Sequence, residues 1–135
     1  MNGTENEIPW APGGKHMFGK MDHVQVAVAD IEKALAFYLG TGGLKVLWDR
    51  ELPTGVRLVM LAGKGEAKLE LSSGPGNPAP GTIKHIGYKV ADLDAAIREV
   101  EAAGLQFHRK PQKPEDRRLA FFRGPDGTEI ELLEQ

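Results

Sequence analysis

The segment His23-Val24-Gln25-Val26-Ala27-Val28-Ala29-Asp30 recurs sixty-two residues later as His85-Ile86-Gly87-Tyr88-Lys89-Val90-Ala91-Asp92. In both copies, a histidine stands seven residues before an aspartate that opens a helical pattern. The similarity extends to the ends of the copies, where Lys68-Leu69-Glu70-Leu71 matches Glu129-Ile130-Glu131-Leu132. The chain is therefore one supersecondary unit present twice, with a histidine near the start and a glutamate near the end of each copy.

Each copy predicts the same order of secondary structure. An alternating strand comes first, at 21–28 and at 85–90, and an amphipathic helix follows with Asp30 or Asp92 as its N-cap. Three further strands complete each unit, at 44–49, 56–61 and 67–72 in the first copy and at 105–109, 119–123 and 128–134 in the second. The pattern is βαβββ twice, so the predicted fold class is α+β with two tandem βαβββ modules.

The glycine and proline residues indicate how the chain is divided. Residues 1–20 are rich in both and predict a flexible N-terminal arm. Residues 21–135 predict a single domain, in which module one spans 21–72 and module two spans 83–135. Between them, residues 73–82 contain nothing that could form a helix or strand and are interpreted as a linker.

Composition excludes several classes of function. The net charge of −2 favours neither nucleic acid nor an anionic membrane as a partner. Cysteine is absent, which excludes disulfides and thiolate catalysis and restricts any metal site to nitrogen and oxygen ligands. No apolar run approaches the roughly 20 residues of a membrane span, and residues 1–20 lack the apolar core of a signal peptide. We therefore expect a cytoplasmic protein.

Strand alternation places the repeated histidines and glutamates on one face of the sheet. If Val24, Val26 and Val28 pack against the helix, His23 points to the opposite, concave face. The same alternation brings three further side chains to that face: Glu70, His85 and Glu131. Carboxylates buried between aliphatic side chains are costly unless a cation compensates them. The four side chains therefore predict a site for one divalent metal ion with two coordination positions open.

Several residues outside these four are further candidates or alternatives for the site. Weaker candidates for lining a substrate cavity are Gln25, Arg57 and Lys89. His16 and His108 have no counterparts in the other copy and are assigned to the arm and the surface, whereas Glu129 shares the concave parity of Glu131. The aromatic residues that could line a binding pocket, but that also suit a core, are Trp48, Phe107, Phe121 and Phe122.

This constellation resembles the vicinal-oxygen-chelate superfamily, which includes glyoxalase I, methylmalonyl-CoA epimerase, extradiol dioxygenases and bleomycin-resistance proteins. The resemblance covers residues 21–134 and rests on Asp22-His23-Val24, the two Val-Ala-Asp helix entries, the Glu70 and Glu131 strands and the turn Gly124-Pro125-Asp126-Gly127. It implies a curved, barrel-like mixed sheet around a metal cavity, and a homodimer. It also implies a small-molecule substrate of the 2-oxo or thioester type and proton transfer next to a metal-chelated carbonyl. Glu131, with Glu70, is the candidate catalytic base.

The resemblance leaves the reaction open. Glu51–Leu61 looks like methylmalonyl-CoA epimerase, whereas the Gly-Pro-Asp-Gly turn has the glyoxalase style. Two glutamates argue against the extradiol dioxygenases, which typically use two histidines and one carboxylate. A non-catalytic small-molecule-binding or resistance protein of the same fold remains an alternative, and the metal could be Ni, Co, Mn, Zn, Mg or Fe. A basic stretch near the end of the chain could bind the phosphates of coenzyme A, or it could be a solvated loop. Its cationic residues are Arg109, Lys110, Lys113, Arg117 and Arg118.

Overall fold

The computed structural model describes residues 17–135. The strands are β1 (Met21–Ala27), β2 (Lys45–Glu51), β3 (Arg57–Ala62), β4 (Lys68–Ser73), β5 (Ile83–Val90), β6 (Phe107–Arg109), β7 (Leu119–Arg123) and β8 (Glu129–Glu134). The helices are α1 (Ile31–Leu35), which continues as a π-helical segment (Ala36–Thr41), and α2 (Leu93–Ala102). This order confirms the predicted βαβββ pattern in both copies.

The eight strands form one mixed, curved sheet in the order β2-β3-β4-β1-β5-β8-β7-β6. The equivalent strands β1 and β5 pair antiparallel in the middle, and each pairs in parallel with the last strand of its own module. The sheet is open, with β2 and β6 at its edges, rather than a closed barrel. Its four central strands are therefore β4, β1, β5 and β8, which carry the four predicted metal ligands.

The predicted helix starts are confirmed by their capping hydrogen bonds. Lys33 N–H donates to the Asp30 side chain over 3.1 Å, and Ala95 N–H donates to the Asp92 side chain over 3.0 Å. These bonds satisfy backbone donors that the first turn of a helix would otherwise leave without partners. The start of the helix is therefore stabilised by the same type of capping hydrogen bond in both copies.

Each module has its own hydrophobic core between its helix and one face of the sheet. In module one, α1 packs on alternate residues of β3 and β4, among them Val59, Leu61 and Leu71. In module two, α2 packs on β7 and β8 through Phe122 and Leu132. Because side chains alternate along a strand, the residues between these face the opposite, concave side of the sheet. That side forms a cup of about 350 Å³.

The described part of the predicted arm is packed rather than free. Met17 and Phe18 contact the core of module two. Gly19 N–H donates to the Lys89 carbonyl over 2.7 Å, and Lys89 N–H donates to the Lys20 carbonyl over 2.9 Å. Residues 17–20 therefore bond to the backbone of β5 and pack on module two, while the division of the chain into an arm and a domain remains a prediction. The rest of the predicted arm, including His16, lies outside the described residues.

None of the helices within residues 17–135 combines the length and the apolar character that crossing a membrane requires.

Candidate metal centre

Two rows of paired positions cross the central strands on the concave face. One row consists of Glu70 on β4, Gln25 on β1 and His85 on β5. Within this row, Gln25 Nε2 donates to Glu70 Oε1 over 2.8 Å, and both side chains are buried. The Gln25 amide therefore holds the carboxylate of Glu70 in place.

The second row consists of His23 on β1, Gly87 on β5 and Glu131 on β8. Because Gly87 has no side chain, the imidazole and the carboxylate meet across it, with His23 Nε2 3.0 Å from Glu131 Oε1. A Cβ atom at position 87 would lie 2.5 Å from His23 Cε1 and 2.7 Å from His23 Nδ1. Gly87 was not among the site residues predicted from the sequence. The difference between the two copies could have pointed to Gly87, because Gln25 occupies the equivalent position in module one.

The four predicted ligand side chains converge on one point. His23 Nε2 and His85 Nε2 are 2.9 Å apart, and Glu131 Oε1 lies 3.0 and 3.4 Å from them. Glu70 Oε1 is farther away, at 3.6 and 3.8 Å from the same two nitrogens. A cation with bonds of about 2.1 Å separates neighbouring ligand atoms by roughly 3.0–3.4 Å, so this spacing fits one metal ion. His23, His85 and Glu131 are the tightest group, with Glu70 beside them.

Burial and charge also fit a cation. The side chains of His23, Glu70, His85 and Glu131 are between 5% and 11% exposed. Within residues 17–135, no lysine or arginine forms an ion pair with either glutamate. Two buried carboxylates with two imidazoles are a donor set that suits a borderline divalent cation, which would offset the cost of their burial. The role of these residues as ligands remains a prediction.

The imidazoles and carboxylates at the centre shift one another's pKa values. Burial by itself would raise the pKa of Glu131, but hydrogen bonds from His23 and His85 outweigh it and lower this pKa to about 2. Burial would likewise lower the pKa of His23, whereas its hydrogen bonds to Glu131 and Asp22 raise it above the ordinary value. Glu131 is therefore ionised at neutral pH, as a metal ligand must be.

Asp22 orients one of the two imidazoles. The strand β1 bulges directly before His23, so Asp22 is left without a paired position on β5 and its side chain lies beside the imidazole. Asp22 Oδ2 is 2.8 Å from His23 Nδ1, and Asp22 Oδ1 accepts from Lys68 Nζ over 2.8 Å. Burial would raise the pKa of Asp22, but these two hydrogen bonds lower it below its usual value. An ionised Asp22 accepts a hydrogen bond from Nδ1–H and so leaves the Nε2 lone pair facing the centre.

We expect Asp22→Asn to weaken divalent-metal binding by about 10- to 100-fold, the usual effect of removing a group that orients a ligating histidine. A neutral amide no longer favours the Nδ1–H tautomer by its charge. Competition with a chromogenic chelator measures the affinity. Asp126→Asn, in the exposed turn before β8, is the matched control and should leave the affinity unchanged. Equal affinities for both variants would show that Asp22 does not orient the site.

Two of the three weaker cavity predictions do not hold. Arg57 lies on the opposite face of β3, where its guanidinium binds Asp49 and Glu32, while its neighbour Leu58 faces the cup. The prediction for Arg57 was wrong. Gln25 does line the cup, as expected. Lys89 lies outside the cup, with Nζ 3.8 Å from Asp22 Oδ1 in a neighbouring cavity, so its predicted place in the cup is also corrected.

The four candidate aromatic residues divide between the cup and the core. Trp48 and Phe121 line the cup, and the Phe121 ring packs edge-on against His85 with the ring centroids 5.5 Å apart. Phe107 and Phe122 belong to the core of module two. The cup therefore combines polar groups at its centre with an aromatic wall, the usual composition of a small-molecule site.

Glu129 takes no part in the centre. His108 Nε2 is 3.1 Å from Glu129 Oε1, and the His108 side chain is 46% exposed. This contact is consistent with the surface assignment of His108. Of the three glutamates on β8, only Glu131 reaches the two central histidines, since Glu134 pairs with Arg118.

The profile of the Glyoxalase/Bleomycin resistance protein/Dioxygenase superfamily matches residues 20–132. The chain belongs to this superfamily. The resemblance drawn from the repeated motifs is thereby confirmed, and with it the fold.

Similar proteins include an uncharacterized protein, a probable lyase and an epimerase. The uncharacterized protein YwkD of Bacillus subtilis is 30% identical over 122 residues, which cover 84% of this chain and 94% of that protein. A probable lactoylglutathione lyase of Synechocystis is 27% identical over 121 residues, covering 83% and 92%. The crystal structure of methylmalonyl-CoA epimerase from Mycobacterium tuberculosis superimposes with a TM-score of 0.73 at 25% identity, covering 90% of this chain and 91% of that chain.

Proposed function

We propose that this protein is a divalent-metal-dependent isomerase or lyase that transfers a proton at the carbon next to a substrate carbonyl. The substrate class is a small molecule with a 2-oxo or thioester group. The observation that carries this proposal is the convergence of two imidazoles and two carboxylates, almost fully buried, at the centre of a cup of about 350 Å³. A cation held by His23, Glu70, His85 and Glu131 would supply Lewis acidity to a carbonyl oxygen and so make the neighbouring C–H bond more acidic.

The two glutamates are proposed to act differently. They stand on β4 and β8, which flank the central β1–β5 pair. Glu131 contacts both imidazoles and is therefore proposed mainly as a ligand. Glu70 is held by the Gln25 amide and lies farther from both imidazole nitrogens, so its carboxylate is better placed to accept the substrate proton. This assignment gives Glu70 the larger part in proton transfer, whereas the sequence had favoured Glu131.

Hydrogen–deuterium exchange at the substrate tests this proposal directly. The protein is supplied with Ni²⁺, Co²⁺, Mn²⁺ or Zn²⁺ in D₂O, with methylmalonyl-CoA or a hemithioacetal as substrate. We expect deuterium at the carbon next to the carbonyl, detected by NMR or mass spectrometry. Glu70→Gln should slow this exchange by about 100-fold or more, since general-base catalysis contributes about 10²–10⁴-fold.

The control for this experiment is Glu129→Gln, which removes a half-buried carboxylate from the same sheet, outside the centre. It should leave the exchange unchanged. Tight binding of either substrate without deuterium incorporation, with every metal tried, would contradict the enzyme proposal.

A second candidate is a protein that binds a small molecule in the same cup without turnover. The observation in its favour is the aromatic wall formed by Trp48 and Phe121, because flat apolar surfaces suit ligand binding. The complete set of four metal-binding side chains favours the enzyme, since binding alone does not require it. The exchange experiment separates the two candidates.

We also propose that the protein is cytoplasmic, as its lack of cysteine favours, and a homodimer, as the superfamily resemblance implies. Large apolar side chains that remain exposed in module one support association between copies, among them Phe37, Val46 and Leu47. All four predicted metal ligands lie within one chain, so a dimer is not needed to complete the metal centre.

A further inference from the structure

The segment from Arg109 to Arg118, which joins β6 to β7, carries five cationic side chains, some of which are ion-paired and some of which are not. Three of them are bound to acidic residues of module two: Lys110 to Glu101 at 3.0 Å, Lys113 to Glu115 at 3.7 Å, and Arg118 to Glu134 and Asp94, both at 3.1 Å. The other two, Arg109 and Arg117, form no ion pair with any acidic residue in the described part of the chain. Their charges are therefore available to a ligand.

Arg109 and Arg117 line two adjoining cavities. One is the cup that contains the metal centre, and the other is a cavity of about 400 Å³ beside it. Both arginines, together with Leu119, belong to the walls of both cavities. A molecule whose reacting end lies at the metal centre can therefore extend past the two guanidinium groups into the second cavity.

The acidic residue in the second cavity is already engaged by the loop itself. Asp116 Oδ2 accepts from the backbone N–H of Gln112 over 2.8 Å and from that of Lys113 over 3.1 Å. This carboxylate holds the turn of the segment instead of pairing with Arg109 or Arg117. Arg109 is placed at the cup wall by Phe121, whose ring centroid lies 5.6 Å from its guanidinium carbon.

The opposite wall of the cup carries a third arginine of the same kind. Arg50 stacks on the Trp48 ring with its guanidinium carbon 4.3 Å from the centroid, and it forms no ion pair among residues 17–135. The cup thus has carboxylates at its centre and cations at its walls. In a chain with a net charge of −2, this separation of charge favours a ligand with an anionic group away from its metal-binding end.

We infer that Arg109 and Arg117 form an anion subsite at the junction of the two cavities. It binds a phosphate or carboxylate group on the part of the substrate that is distant from the reacting carbon. Guanidinium groups suit this role because they bind both oxyanions through paired, charge-assisted hydrogen bonds. The link of this anion to a substrate rests on the proposed function, whereas the subsite itself does not.

Binding of simple anions to the metal-free protein tests the subsite without any turnover. Pyrophosphate and succinate are titrated separately into chelator-treated protein and followed by calorimetry. We expect at least one of them to bind, and the Arg109→Gln/Arg117→Gln double variant to bind it about 10- to 100-fold more weakly. Preference for pyrophosphate assigns the subsite to phosphate, and preference for succinate assigns it to carboxylate.

The matched control is Lys113→Gln/Arg118→Gln, which removes the same charge from the same segment but at ion-paired positions that line neither cavity. It should bind the anion within about twofold of the wild type. Failure of both anions to bind the wild type, or equal losses in the two double variants, would overturn the subsite.

The metal-loaded protein then separates this inference from the proposed function. With an anionic substrate, the arginine double variant should raise KM about 10-fold or more and leave kcat little changed, because it removes binding rather than chemistry. Anion binding that depends on the arginines, without any deuterium exchange, retains the subsite and rejects the enzyme proposal. Exchange with no dependence on Arg109 and Arg117 rejects the subsite alone.

Discussion

Replacing Glu131 by alanine should weaken divalent-metal binding more than 100-fold. Even residues that only orient metal ligands contribute about 10- to 100-fold to affinity, and Glu131 is in direct contact with both central imidazoles. At a free-metal concentration 100 times the wild-type Kd, binding stabilises the folded protein by about 2.7 kcal/mol. The variant should lose almost all of this stabilisation, which thermal denaturation with and without metal measures.

The comparison is made within each variant, so an effect of the substitution on the metal-free fold does not obscure it. Glu129→Ala is the matched control, because it removes a glutamate from the same strand that binds only the exposed His108. Glu70→Ala should give a smaller loss than Glu131→Ala, since Glu70 lies farther from both imidazole nitrogens. Full metal-induced stabilisation of Glu131→Ala would exclude the proposed centre.

Replacing Gly87 by alanine should damage the same centre by displacing a ligand instead of removing it. The new Cβ would lie 2.5 Å from His23 Cε1, so the imidazole has to move. Movement breaks its hydrogen bond with Asp22 and turns Nε2 away from Glu131. We expect about a 100-fold loss of metal affinity. We also expect a loss of about 1–3 kcal/mol in the free energy of unfolding, as for other overpacked interiors.

The backbone itself does not oppose this substitution, because Gly87 has no positive φ. Gly65→Ala is the control, since a Cβ there has no neighbour within 4 Å and its φ is not positive either. Chelator competition and chemical denaturation measure the two expected losses separately. Wild-type metal affinity in Gly87→Ala, with the control also unchanged, would show that His23 is not held where the structure places it.

Much of the architecture could be predicted from the repeat alone. In β4 and β8, the leucines and isoleucines on either side of the glutamates pack in the cores as the alternation predicts, and the aspartates before both helices are N-caps. Alternation then placed the paired histidines and glutamates on one face, where the structure brings them together. These inferences succeeded because they depend on local geometry, with a period of two in a strand and a capping side chain at a helix start.

The prediction for Arg57 failed where alternation carries no information. In β3, residues of both faces are apolar, since Leu58 and Met60 line the cup while Val59 and Leu61 pack in the core. No difference in polarity therefore indicated which way Arg57 points. The packing of residues 17–20 beside Lys89 could not be predicted for a related reason, because it depends on contacts with module two and not on their own composition.

The sequence by itself determined the duplicated α+β fold and the identity of the four side chains around the proposed metal. Only the tertiary structure decided how those side chains meet. Pairing of β1 with β5 sets Gly87 opposite His23, a bulge brings Asp22 to the imidazole, and Gln25 restrains Glu70. The first and last of these relations join residues far apart in the chain, and the bulge arises where β1 pairs with β5, so all three depend on strand register, which local patterns do not encode.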